Sequence, residues 1–147
     1  HASPTCQTRC RVTASRGSRE DHPDLLTPTL RALERLSVPW VVENVPEAAW
    51  DGTMRPDYLL CGSQFALPIR RHRVFQCGNW DVCDLLPPCH CRRSGLLPFA
   101  HKDERAFADA MGCTWMDKKA ARQAIPPVYT EYIGYQLLAH LRAEVAA

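Results

Sequence analysis

Cys6, Glu43 and the arginines at 71 and 73 are the residues whose chemistry and order suggest a reaction. Cys6 stands in Ser3-Pro4-Thr5-Cys6-Gln7, on a tight turn after what reads as the tail of a strand. A cysteine just after a strand, on a turn and among arginines, is expected to have a lowered thiol pKa and to act as a nucleophile. Glu43 ends the apolar run of Val38-Pro39-Trp40-Val41-Val42-Glu43-Asn44-Val45-Pro46. That places a poorly solvated carboxylate at the carboxyl end of a strand, where open α/β sheets hold their working groups. Arg71 and Arg73 lie on a third predicted strand, so thiol, acid and cations converge on one sheet edge. Singly, each has a plainer reading: a small buried thiol, an acid paired with an arginine, a solvated basic face.

The elements that must position these groups follow from periodicity. Val38–Pro46 is β-branched and aromatic, bounded by prolines, and reads as a buried strand over 39–45. Pro46 excludes helix at Val45. Leu26, Leu30, Leu33 and Leu36 form one stripe and predict a helix over 24–37, capped by Asp24 or Thr27, with Pro28 in or near its first turn. Strand, loop, helix, strand is the pattern of a parallel α/β unit. The stretch 8–22 is polar and without periodicity, which predicts a mobile surface loop. Strands are expected at 57–63 and 71–76, close enough to form a hairpin. Residues 77–100 read as irregular. Helices are expected at 103–111 with Gly112 as C-cap, at 117–124, and from Thr130 to about Val145. On the last, Ile133, Leu137, Leu138, Leu141 and Val145 share a face.

Composition sets bounds. The 147 residues suit one core, and an apolar fraction of 46% with 23% charged residues is ordinary for a globular chain. No apolar run approaches the roughly 20 residues of a membrane span, so no membrane partner is expected, and the cysteines, read as reduced thiols, point to a cytoplasmic setting. A net charge of +2 points nowhere by itself. The clusters Arg9, Arg11, Arg16, Arg19 and Arg70, Arg71, Arg73 and Arg92, Arg93 could follow a phosphate backbone. The eight cysteines read as reduced thiols. Cys77, Cys83, Cys89 and Cys91, with His90 and His101, offer enough ligands for zinc, though their spacing contains no CxxC pair. Cys61 reads as core.

Three ordered stretches carry a family resemblance. Ser3-Pro4-Thr5-Cys6-Gln7 resembles the Pro-Cys-Gln nucleophile motif of the DNA cytosine 5-methyltransferases, and Glu43-Asn44-Val45 is similar to their Glu-Asn-Val motif. Phe65-Ala66-Leu67-Pro68-Ile69-Arg70-Arg71-His72-Arg73-Val74-Phe75 resembles their Gln-x-Arg-x-Arg motif. The stretch from Ala124 to Gly134 is similar to the closing part of the short, phage-type DNA methylases. The departures are Thr5 for proline, Ile69 for glutamine, and Tyr135 where Gly-Asn is common.

The resemblance implies a partial Rossmann-like class I methyltransferase fold, the second half of its sheet, with a small irregular target-recognition region and C-terminal helices. The expected division is a catalytic half at 1–76, a target-recognition insert at 77–112 and a helical segment at 113–147. It implies methyl transfer from S-adenosylmethionine to carbon 5 of a cytosine flipped out of double-stranded DNA, through a covalent cysteine adduct. Cys6 would be the nucleophile, Glu43 the acid at ring nitrogen 3, and Arg73 the cation at the oxygen. Arg71 would be a second positioning cation, and Asn44 would hold the loop or the exocyclic amine. Pro4 and Gly134 would border the cofactor, and Gln7, Arg9, Arg11 and Arg16 would meet DNA from a loop that closes over the base. The glycine-rich cofactor loop of the family has no counterpart here. The chain therefore reads as the carboxy-terminal part of an enzyme that is a monomer when complete, its cofactor half supplied by an upstream segment or a partner chain. A restriction-modification setting in a bacterial or phage-infected cell follows. The alternative is a non-catalytic DNA-binding remnant stabilised by zinc.

Overall fold

The computed structural model describes residues 1–92, 96–98 and 102–146, so His101 and Arg93 lie outside the described residues. The chain is mixed α/β with two small sheets. In chain order the elements are α1 (Arg11–Arg16), α2 (Leu26–Leu33), β1 (Trp40–Asn44), α3 (Glu47–Trp50), β2 (Tyr58–Leu60), β3 (Ile69–Arg70), β4 (Arg73–Gly78), β5 (Leu97–Pro98), α4 (Glu104–Ala110), α5 (Lys118–Gln123) and α6 (Pro127–Ala146). They divide into two units. The first comprises His1–Leu59 and Arg73–Asp84; the second comprises Leu60–His72 and Leu85–Ala147. This differs from the expected division at residues 76 and 112. The reason is β4, which returns to pair with β1 and so draws Arg73–Asp84 back to the first unit.

In the first unit β1 is flanked on both sides. Ala2 bridges Val42 in parallel, with Ala2 N donating to Val41 O and Glu43 N to Ala2 O, both at 2.9 Å. β4 runs antiparallel on the other side, with Glu43 opposite Phe75 and Asn44 opposite Val74. The sheet order is β1-β4-β2. All five residues of β1 are buried, the apolar Trp40, Val41 and Val42 and the polar Glu43 and Asn44 alike. Trp40, Val42 and Val74 pack with Leu26, Leu30, Ala48 and Met54. Of the predicted strand–loop–helix–strand passage, α2 and β1 are present, and the first strand is reduced to the single Ala2 bridge.

Local differences from the sequence expectation have local causes. Asp24 does cap α2, its Oδ1 accepting from Leu26 N at 3.0 Å and Thr27 N at 3.3 Å. The helix stops at Leu33, because Arg35 N and Leu36 N bond back only three residues and the chain tightens. Leu36 is left exposed. The stretch 8–22 is not structureless: it holds α1 and a 3-10 turn at Arg19–Asp21. Neither buries a residue, so neither needed an apolar stripe to announce it.

Gly78 sits opposite Trp40, and a Cβ there would lie 2.1 Å from Trp40 Cε2. The indole is rigid and buried, so Gly78→Ala is expected to destabilise the first unit by about 3 kcal/mol, the upper end for overpacking. Urea unfolding followed by tryptophan fluorescence measures it.

The second unit has its own core of Ile69, Phe107, Ala108, Ala110, Met111, Cys113 and Ala121. β3 and β5 pair in parallel. α4 is capped by Asp103, whose side chain accepts from Arg105 N and Ala106 N, and Gly112 follows it with φ +74°. α6 starts at Pro127 rather than Thr130 because proline is tolerated in a first helical turn. Of its predicted apolar face Ile133 is buried, while Leu138, Leu141 and Val145 are exposed. No helix among the described residues is long and apolar enough to cross a membrane.

Candidate functional site

The first unit brings Cys6, Glu43 and Arg73 together. Glu43 lies on β1 and faces Phe75 across the ladder. Arg73, two residues along on the same face of β4, reaches diagonally to it. Arg73 Nε stands 2.7 Å from Glu43 Oε1, and the side chains are only 14% and 10% exposed. Cys6 enters from the parallel side, four residues past the Ala2 bridge, on a turn in which Arg9 N and Cys10 N both donate to Cys6 O. Asn44 fastens that turn to β1: its Nδ2 donates to Pro4 O at 3.0 Å, and its Oδ1 accepts from Val45 N. Asn44 and Pro4 are thus placed as a structural clamp on the cysteine turn.

The electrostatics of Cys6 differ from the sequence expectation. Burial pushes its thiol above the usual 9.0, and the neighbouring Cys10 and Glu43 push the same way. Arg73 pulls it down by less. Of the arginines expected to lower it, Arg73 does so, whereas Arg9 and Arg11 are paired with acids elsewhere.

Arg9 is the clearest case. Its guanidinium is 12% exposed and bridges Asp24 at 2.8 Å and Asp51 at 3.2 Å, with Thr53 Oγ1 within reach. It anchors the loop to α2 and to the turn after α3, and has no free face for a phosphate. Arg9 holds the Asp24 carboxyl well below the usual carboxylate range. Arg11 pairs with Glu47 at 3.1 Å and lies over the Trp50 ring, yet stays 74% exposed. Gln7 and Arg16 are exposed.

Arg71 belongs to the second unit and is buried there. Its Nη2 donates to Arg122 O at 2.8 Å and Ala124 O at 2.7 Å, holding the end of α5, and Tyr129 Oη donates to its carbonyl. Gly134 lies within α6 with open space at its Cα.

A second cluster gathers in the second unit. The ligand atoms of Cys61, His72, Cys89 and Cys91 all lie within 4.8 Å of one another, a group able to hold a metal ion. Sequence reasoning found Cys89 and Cys91 and read Cys61 as core, which its full burial bears out, but gave neither Cys61 nor His72 a place among the ligands. It also offered Cys77, Cys83 and His90, which are not members. Cys77 lies on β4 with its N–H bonded to Asp57 Oδ2 at 2.7 Å, and Cys83 is exposed. No spacing rule links positions 61, 72, 89 and 91; the turn between β2 and β4 does.

Burial drives the Cys77 thiol up to about 12. A thiol harder to ionise folded than unfolded favours the folded state fully below pH 9.0, and that contribution disappears as pH rises from 9.0 to about 12. Cys77→Ala is expected to flatten the decline in urea-unfolding free energy across that window. Comparison of the chain with family models, with curated proteins and with solved structures finds no match.

Proposed function

We propose that this chain carries the nucleophile, acid and cation of a DNA cytosine 5-methyltransferase. The observation that supports the reading is the buried Glu43–Arg73 pair beside Cys6, assembled from three stretches that are far apart in sequence. In the proposed step the Cys6 thiolate adds to carbon 6 of cytosine. The S–C bond forms, the ring π pair shifts toward nitrogen 3, and the ring becomes nucleophilic at carbon 5. The proton that the Cys6 thiol gives up to water is returned to nitrogen 3 through Glu43, whose carboxylate Arg73 Nε holds before and after the step. The same guanidinium stabilises charge on the exocyclic oxygen. The cytosine must leave the stack to reach these groups. Gln7, Arg11 and Arg16 are the exposed loop residues that would meet the DNA.

S-adenosylmethionine supplies the methyl group in such enzymes. The seven glycines of this chain form no glycine-rich loop, so its residues do not by themselves fit that cofactor.

Duplex DNA carrying 5-azacytosine tests the reading without a methyl donor. After Cys6 adds to carbon 6, nitrogen 5 of the analogue takes a proton from water, leaving a stable covalent complex. A band surviving denaturation and mapping to Cys6 is the expected result. Its absence from a pool of duplexes covering all short target sequences overturns the reading. One observation favours the alternative, a non-catalytic DNA-binding remnant: the upward shift of the Cys6 thiol. That reading gives retention on DNA with no adduct.

A further inference from the structure

We propose that Cys61, His72, Cys89 and Cys91 hold a structural zinc ion within the second unit. The inference stands independently of any reaction at Cys6.

The donor set is three thiols and one imidazole, with no carboxylate in the group. Thiol and imidazole ligands select zinc, whereas magnesium and calcium take oxygen. Four protein ligands fill a tetrahedron, the arrangement of structural rather than catalytic sites. With Zn–S at about 2.3 Å, sulfurs on a tetrahedron stand about 3.8 Å apart. The four donor atoms here are already within 4.8 Å of one another, and His72 Nε2 is 3.3 Å from Cys89 Sγ. A contraction of about an ångström closes the site.

The surroundings support thiolates. Ser63 Oγ donates to Cys61 Sγ at 3.5 Å and accepts from His90 N at 3.2 Å. Cys91 N donates to Cys89 Sγ at 3.4 Å. Such outer contacts orient metal ligands and offset the negative charge of bound sulfur. On binding Zn²⁺ the three thiols release their protons to water, leaving a site of net charge −1.

The position gives the ion a purpose. Cys89 and Cys91 lie in a stretch, 81–92, without helix or strand. Leu85 N bonds to Tyr132 Oη, Gln64 Nε2 to Pro87 O, and His90 N to Ser63 Oγ. Of its two leucines, Leu85 is exposed and Leu86 only half-buried. Apolar burial therefore contributes little to holding this stretch in place. A metal cross-link to Cys61 and His72, on the turn that follows β2, provides what the missing core does not.

The test is the metal content of the full chain, purified under reducing conditions without added metal. One equivalent of zinc is expected. After chelation, cobalt should restore the visible absorption of a tetrahedral thiolate site. Cys91→Ser and His72→Ala should weaken zinc binding by at least the ~10–100-fold that loss of even an outer partner costs. His72→Cys should restore binding, which a variant that merely misfolds cannot do. Cys83→Ser should retain the full equivalent. Substoichiometric zinc that added metal does not raise overturns the proposal. So does zinc binding unchanged in both Cys91→Ser and His72→Ala, or a disulfide among Cys61, Cys89 and Cys91 in the reduced protein.

Discussion

Cys6→Ser is expected to eliminate the covalent complex with 5-azacytosine DNA, by at least about 10⁴-fold in rate, while leaving non-covalent retention on DNA unchanged. Serine keeps the shape of the side chain and the backbone bonds of the turn, so Arg9 N and Cys10 N still have their acceptor. What it loses is a nucleophile able to ionise, and loss of a nucleophile is among the largest single effects in catalysis. Cys10→Ser is the matched control. Cys10 lies on the same turn and pushes the Cys6 thiol up, so its removal should leave the adduct intact and speed its formation. The pH profile carries a sign as well. A thiol raised above 9.0 is mostly protonated at neutrality, so adduct formation should still be climbing at pH 9, as the thiolate fraction grows. A rate already flat at pH 7 would contradict the burial that surrounds Cys6. An adduct that survives Cys6→Ser would remove this residue from the role.

Arg73→Ala is expected to cost about 3 kcal/mol of stability and, separately, about 10²–10³-fold in the rate of adduct formation. The stability figure sits at the lower end for breaking a buried pair, since both side chains keep a small exposure. Its cause is the Glu43 carboxylate, left on the sheet face without its cation. Glu43→Gln in the same chain should therefore recover part of the stability lost, as a coupled pair does in a double-mutant cycle. It should recover none of the rate, because the amide supplies no proton to nitrogen 3. Urea unfolding and adduct kinetics on the four proteins of the cycle separate the two effects. Additive stability losses would mean that the 2.7 Å contact carries no coupling.

Expectation and structure agree where the determinants are local or repeat along one element. Strand β1 was legible from the apolar Trp40, Val41 and Val42 leading into Glu43 and Asn44 between prolines. The Asp24 cap, the Asp103 cap and the positive φ of Gly112 each follow from residue types within one turn. The Glu43–Arg73 pair was legible less directly. Its two members were chosen for their place on strands, and the antiparallel register that makes them diagonal neighbours came from the sheet.

Other placements turned on partners that no window of sequence contains. Arg9 looks in sequence like its basic neighbours Arg11 and Arg16, and only the approach of Asp24, Asp51 and Thr53 withdraws it from solvent. Arg71 and Arg73 are two residues apart, yet one holds the end of α5 and the other an acid on β1. The chain crosses from one unit to the other between them.

What this sequence determined alone is therefore the identity and order of its longer elements, α2, β1, β2, β4, α4, α5 and α6, and the position of an acid near the end of β1. Propensity, capping and periodicity act over a few residues, and all of them are visible in one dimension. Which charge meets which, and which four of the cysteines and histidines gather at one point, was decided by the tertiary structure. Electrostatic pairing and metal ligation depend on distance in space, and the chain sets that distance only once β4 has returned to β1 and the turn after β2 has closed on the stretch that carries Cys89 and Cys91.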